Sequence, residues 1–190
     1  MRALAVLLVA LLAGCSQPAP TPATPTASSA GALTLVSDFQ NGATIPKQHT
    51  CDGDGSAPTL NFTGAPAGAA TLALIVIDPD VPVPQAPTQT ITHWTAWNVP
   101  LVDGAVSIAD GKVPAGAKEG INSGSTNGWM PPCPPVGSPA HRYMFQAYAV
   151  QGGIDLPSGA SRQQLEGALQ GKTLGNATLV WLYARAVLPG

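Results

Sequence analysis

The apolar residues of this chain fall mainly into short runs, which are separated by loops rich in proline and glycine. Residues 71–78 form a continuous run of mostly branched side chains, which predicts a strand buried on both faces. Residues 91–99 contain Trp94 and Trp97 and predict a second strand, and residues 143–150 alternate well enough for a half-buried one. Further strands are predicted at 33–37 and 177–187. The pattern therefore predicts a mostly β protein.

One helix is predicted late in the chain. Ser161 and Gln164 have the spacing of a capping box, and Gly171 is placed to end the helix. Its apolar face would consist of Leu165, Ala168 and Leu169. Long loops are predicted at 79–90 and 128–140, where proline is frequent.

The N-terminus predicts export. Arg2 precedes an apolar run over residues 3–13 that is too short to span a bilayer, as in the core of a secretory signal peptide. Residues 12–15 (LAGC) resemble the bacterial lipobox, in which cleavage leaves a lipid-bearing cysteine as the first residue. An ordinary signal peptide with an incidental cysteine is the alternative. Lipid on Cys15 would anchor the protein to a membrane of the cell envelope, facing the periplasm or the exterior.

Residues 16–32 contain mainly proline, alanine, serine and threonine, which cannot bury enough apolar surface to fold. The expected organisation is therefore a signal peptide over 1–14, a lipidated cysteine with its tether over 15–32, and one β-rich domain over 33–190.

The composition and the motifs of the chain argue against several classes of function. Charged residues make up 9% of the chain and its net charge is −2, so there is no basic face for nucleic acid. The sequence has no G-x-S-x-G elbow, no H-E-x-x-H and no phosphate-binding glycine loop. We therefore expect no cofactor and assign no catalytic residue.

Two cysteines remain once Cys15 is assigned to lipid. In an oxidising compartment, Cys51 and Cys133 would form one disulfide. Two separate buried thiols are an equally open alternative, because the sequence does not give the separation of the two Cα atoms.

Ionisable residues lie at the ends of the predicted strands. Asp78 and Asp80 stand at the end of the most apolar strand. Because an unpaired buried carboxylate is costly, an acidic pair at this place does not serve packing. His93 and His141 flank two other strands, and a rigid proline-rich loop over residues 131–137 precedes His141. These positions indicate a binding site. His49 has no such neighbours, and we expect it to be a solvated loop residue.

These residues carry a family resemblance. D-P-D-x-P at 78–82 with H-W at 93–94, and P-C-P-P-x-G at 132–137 with H-R-Y at 141–143, resemble the two signatures of the phosphatidylethanolamine-binding family. The resemblance covers residues 33–187 and is closest to the bacterial Raf kinase inhibitor-like branch. It implies a large central antiparallel sheet with a smaller sheet packed on it and a C-terminal helix.

The resemblance also implies a pocket for an anion such as phosphate or a phosphorylated head group. The implied ligand-binding residues are Asp78, Asp80, Pro82, His93, Cys133, Pro134, His141 and Tyr143. The two histidines would donate hydrogen bonds to the anion, the two aspartates would orient the histidines, and Tyr143 would close the pocket. No metal is expected, although Asp78, Asp80, His93 and His141 are also possible ligands of a transition metal. Pro131 stands where the bacterial pattern usually has glycine, so we expect the rim to approach a ligand differently.

Three functions follow from this interpretation. The first is a lipoprotein that binds an anionic or phosphorylated small group. The second is a regulator that docks on a periplasmic enzyme, by resemblance to eukaryotic relatives that inhibit kinases and peptidases; its protein partner is unknown. The third is a hydrolase using aspartate and histidine as acid and base, against which the missing nucleophile elbow argues.

Overall fold

The computed structural model describes residues 32–187. The predicted signal peptide, Cys15 and the tether up to residue 31 lie outside the described residues, and they stay predictions. Within 32–187, no helix is long and apolar enough to cross a membrane.

Two antiparallel sheets form the molecule. The large sheet has the strand order β6-β4-β3-β7-β8, and the small sheet has the order β1-β2-β5. The elements are β1 (Thr34–Ser37), β2 (Leu60–Thr63), β3 (Thr71–Val81), β4 (Gln89–Pro100), β5 (Val106–Ile108), β6 (Lys118–Glu119), β7 (His141–Val150), α1 (Arg162–Leu169) and β8 (Thr173–Tyr183). The predicted mostly β class, with a large sheet, a smaller one and a late helix, is confirmed.

The central strand β3 is buried on both faces, as its continuous apolar sequence predicts. Leu72, Leu74 and Val76 face a core shared with the small sheet, whose contributions include Leu60 and Phe62. On the other face, a second cluster joins β3 to the helix through Ala73, Ile75, Trp97, Leu165 and Leu169. The large sheet is therefore the middle layer, between the small sheet and α1.

The helix has the ends that its sequence predicts. The Ser161 hydroxyl accepts a hydrogen bond from the backbone N–H of Gln164 at 3.3 Å. The Gln164 side chain in turn accepts one from the backbone N–H of Ser161 at 2.8 Å. Gly171 follows the helix with a φ of 72°, a left-handed conformation that glycine adopts without strain.

Several strand boundaries differ from the prediction, and strand pairing explains two of these differences. β3 continues beyond Asp78 to Val81, which pairs with Gln89 of β4, so the loop between them is shorter than predicted. β8 ends at Tyr183 rather than residue 187, because its pairing partner β7 begins at His141, directly opposite Tyr183. As a result, Asp80 lies within the strand and not in the loop predicted over 79–90.

Candidate functional site

A pocket of about 520 Å³ opens where β3, β4 and β7 meet the proline-rich loop. We call it the histidine pocket. Its walls are Cys51, Asp78, Val81, Ile91, His93, Met130, Pro131, Cys133, Pro134, Pro135, His141 and Tyr143. Six of the eight predicted binding residues therefore line it: Asp78, His93, Cys133, Pro134, His141 and Tyr143.

The polar side chains converge because their strands are neighbours. β3 carries Asp78 and lies between β4, which carries His93, and β7. His141 and Tyr143 are two residues apart on β7, so their side chains leave the same face of the sheet. Residues that are distant in sequence thus form one polar floor.

Asp78 orients His141. One carboxylate oxygen of Asp78 accepts a hydrogen bond from Nδ1 of His141 at 2.8 Å. The other oxygen accepts from the backbone N–H of Asp80 at 2.8 Å. Both oxygens are therefore occupied, and Nδ1 of His141 carries a proton because a carboxylate only accepts. Nε2 of His141 is buried and has no hydrogen-bond partner among residues 32–187.

His93 is held by the backbone of Met130. Its Nδ1 donates a hydrogen bond to the Met130 carbonyl at 2.8 Å. The Met130 N–H donates back to the His93 carbonyl, also at 2.8 Å. Burial lowers the pKa of His93, and the hydrogen bond to Met130 and the charge of Asp78 only partly oppose this. His93 is therefore neutral near pH 7.

Tyr143 is buried next to His93, with the two rings edge to face and their centroids 5.2 Å apart. Burial, followed by the negative charge of Asp78, raises the pKa of Tyr143 far above its usual value. Its hydroxyl therefore keeps its proton. Asp78 lies near enough to favour this proton, but within residues 32–187 no group has hydrogen-bond geometry to the hydroxyl.

A disulfide between Cys51 and Cys133 fastens the rim, with the two Cα atoms 5.3 Å apart. The Cys51 N–H also donates to the Pro132 carbonyl at 3.0 Å. Trp129 donates from its indole to the Gly55 carbonyl at 3.0 Å. The proline-rich loop, together with Trp129 just before it, is thus attached to residues 47–56 by one covalent bond and two hydrogen bonds.

The histidine pocket combines a polar floor with apolar walls. Proline, methionine and branched side chains form most of its upper surface, and no lysine or arginine lines it. The arrangement suits a small polar group attached to a less polar body.

The profile of the family described as "Phosphatidylethanolamine-binding protein" matches residues 36–184. The chain belongs to this family. A UPF0098 protein of Methanothermobacter thermautotrophicus is 39% identical over 150 residues, which cover 77% of this chain and 95% of the relative. A Mycobacterium tuberculosis protein named "Putative lipoprotein LppC" is 40% identical over 159 residues, covering 83% of this chain and 75% of the relative.

Solved structures agree with the assignment to the phosphatidylethanolamine-binding family. CT736 of Chlamydia trachomatis superimposes with a TM-score of 0.72 at 35% identity, covering 82% of this chain and 99% of CT736. Escherichia coli YbcL, described as a new member of the mammalian PEBP family, gives a TM-score of 0.70 at 27% identity, covering 80% of this chain and 98% of YbcL.

Two of the residues predicted from the family resemblance lie outside the histidine pocket. Asp80 hydrogen-bonds to neither histidine. It instead accepts from the backbone N–H and Nε of Arg142, each at 2.9 Å, and from Nη2 at 2.6 Å. The hydrogen bonds from Arg142 hold the pKa of Asp80 below its usual value, despite burial. Pro82 is also absent from the walls, where Val81 lies instead, because β3 extends further than predicted.

His49 is not the solvated residue that the sequence predicted. It is buried and stacks on Phe39 with the ring centroids 5.6 Å apart. Its Nδ1 lies 2.9 Å from the Ser56 carbonyl, so the ring helps to hold the 47–56 segment. Across residues 32–187, no group of three or more His, Cys, Asp or Glu side chains is placed to hold a metal ion.

Six wall residues were not among the predicted binding residues. Cys51, Pro131 and Pro135 belong to the predicted disulfide and the proline-rich loop, whereas Val81, Ile91 and Met130 were not predicted at all. Ile91 lies two positions before His93 on β4, so strand alternation would have placed both on one face. Val81 depends on the extra length of β3. Met130 acts on His93 through its carbonyl, and a backbone contact of this kind leaves no signal in side-chain identity.

Proposed function

We propose that this member of the phosphatidylethanolamine-binding family is an exported lipoprotein that binds a small anionic or phosphorylated group in the histidine pocket. The observation that carries the proposal is the pair of buried polar atoms without partners, Nε2 of His141 and the hydroxyl of Tyr143. A buried polar atom left unpaired costs roughly 1–3 kcal/mol. Since both residues line the pocket, a ligand bound there would recover this free energy.

The chemistry of these atoms favours an oxygen-rich ligand. The Tyr143 hydroxyl can donate a hydrogen bond because its proton is retained. Nε2 of His141 also donates when the ring is fully protonated, and the Asp78 carboxylate would then balance the added charge. Two such donors favour a ligand that presents phosphate or carboxylate oxygens. The absence of lysine and arginine from the walls indicates selectivity through shape and hydrogen bonds, not through strong attraction of any anion.

Export is supported by three observations. Residues 12–15 have the lipobox pattern. A relative 40% identical to this chain is named as a lipoprotein. The disulfide between Cys51 and Cys133 is of the kind that persists in oxidising compartments. Lipid on Cys15, with the 16–32 tether, would hold the pocket near a membrane of the cell envelope.

Calorimetric titration tests the binding proposal. The chain over residues 16–190 is titrated with phosphate and phosphoethanolamine, and then compared with Tyr143→Phe and His141→Gln. We expect each variant to bind about tenfold more weakly, because each lacks one hydrogen bond to the ligand. Tyr148→Phe is the matched control, since it removes the same hydroxyl from the same strand outside the pocket. Equal affinity in all four proteins would refute the proposal.

A further inference from the structure

The tautomer of His93 is determined by its backbone partner. A carbonyl oxygen can only accept a hydrogen bond, so Nδ1 of His93 must carry the proton that it shares with Met130. The neutral ring then has a lone pair, and no proton, on Nε2. His93 is 3% exposed, and burial opposes a second proton. His93 therefore presents an acceptor, whereas the sequence-based expectation was a donor.

The groups around His93 leave this acceptor without a donor of their own. Asp78 on β3 has both carboxylate oxygens occupied and can only accept. His141 and Tyr143, both on β7, are the other titratable groups of the pocket wall. Within residues 32–187, no group hydrogen-bonds to Nε2 of His93. The pocket thus offers an acceptor on His93, a donor on Tyr143 and, when the His141 ring carries both protons, a second donor on Nε2 of His141.

We propose that the histidine pocket selects an anion that retains one acidic O–H, namely a singly ionised phosphate monoester. Its O–H donates to Nε2 of His93, and its unprotonated oxygens accept from the Tyr143 hydroxyl and from Nε2 of His141 when that ring carries both protons. This inference rests on the proposed function and specifies its ligand class. Sulfate, a phosphate diester and a doubly ionised monoester each lack the proton, so each would place a bare oxygen against the His93 lone pair.

The apolar walls agree with a monoester in preference to inorganic phosphate. Ile91, Val81 and Met130 lie beside the polar floor and offer no hydrogen-bonding side chain. The single organic substituent of a monoester would contact these side chains, while its three remaining oxygens face the floor. A second substituent, as in a diester, would replace the O–H that His93 requires.

A panel of three small anions tests the inference on the unmodified protein. Monomethyl phosphate, dimethyl phosphate and sulfate are titrated calorimetrically into residues 16–190 at about pH 6, where a monoester is partly singly ionised. Dimethyl phosphate carries the same single charge without the O–H. We expect monomethyl phosphate to bind at least about tenfold more tightly than either control, since each control would cover the His93 acceptor without supplying a donor, and an acceptor buried in this way is costly.

The pH dependence provides a second measurement. Because the second pKa of a phosphate monoester is near 6, we expect its affinity to fall up to about tenfold for each pH unit above about 7. Sulfate does not titrate in this range, and it reports any contribution from His141 or His93 themselves. An affinity for monomethyl phosphate that stays constant to pH 8 would overturn the inference.

One variant changes the acceptor directly. In His93→Gln, the amide can turn either its N–H or its oxygen toward the ligand, so the preference for monomethyl phosphate should shrink to a few-fold. If this variant does not fold, the titrations of the unmodified protein with the three anions test the inference by themselves. Equal binding of all three anions by the parent would overturn this inference and leave the proposed function standing. Binding of none would overturn both.

Discussion

Removal of the Cys51–Cys133 disulfide should destabilise the domain strongly, because the bond closes a long loop. The two cysteines are 82 residues apart in sequence. The chain-entropy relation for a loop of this length gives about 4.5 kcal/mol at 25 °C. Hydrogen bonds between the same segments remain in the folded state, and they do not replace this constraint on the unfolded chain. We therefore expect a loss of about 3–4.5 kcal/mol, within the usual range for a native disulfide.

The test compares Cys51→Ser/Cys133→Ser with the oxidised parent over residues 16–190, which has no other cysteine. Both cysteines are exposed, so serine at these positions adds no buried polar group. Urea unfolding, followed by circular dichroism, gives the free energy of unfolding for each protein. The reduced parent is the matched control, and it should unfold like the double variant. A difference below about 1 kcal/mol between oxidised parent and variant would refute the loop-closure argument.

Four further substitutions test the packing and electrostatics of the fold by urea or thermal unfolding. Arg142→Met should cost about 3 kcal/mol at pH 7, the low end for breaking a buried ion pair. The substitution removes the cation from the buried Asp80 but keeps the backbone hydrogen bond of residue 142, and the guanidinium itself was half exposed. Since Arg142 lowers the pKa of Asp80, the stabilisation of the fold by this ion pair is present above about pH 4 and is lost as pH falls through the lowered pKa. If Arg142→Met were as destabilising in acid as at pH 7, the pairing would be contradicted. Gly120→Ala should lower the free energy of unfolding by about 2 kcal/mol or more, because a Cβ there would clash with a threonine hydroxyl and a backbone carbonyl. Gly167→Ala, which has open space in α1, should raise it by about 0.5–1 kcal/mol. Ser161→Ala should cost about 1 kcal/mol by removing the cap of α1, and an unchanged melting temperature would argue against the capping box.

The sequence predicted the parts of the fold that depend on local patterns. A run of branched apolar residues identified β3 as a strand buried on both faces, and the capping box placed α1. The short strands β2, β5 and β6 were missed, because two to four residues are too few to show a clear periodic pattern. The end of β8 was misplaced, since it is determined by where β7 begins and not by its own sequence.

The sequence predicted which residues form the candidate site better than it predicted the contacts between them. The signatures brought Asp78, His93, His141 and Tyr143 to one pocket, because they lie on adjacent strands. The partner of Asp80 was not predictable, since it required knowing that β3 runs on past Asp78 and brings this carboxylate to Arg142. The backbone contact that determines the tautomer of His93 was equally hidden. The sequence could indicate which side chains meet, but not which of their polar atoms are left without a hydrogen-bond partner.

The most direct test of the binding claim is a long-range ¹H–¹⁵N NMR spectrum of the histidine rings, recorded as phosphate is added. The chain has three histidines, of which His93 and His141 line the pocket and His49 does not. His49 is therefore an internal control. We expect the Nε2 resonances of His93 and His141 to shift and saturate together while those of His49 stay in place. Unchanged spectra, or shifts of equal size at all three rings, would contradict a phosphate-binding site at this pocket.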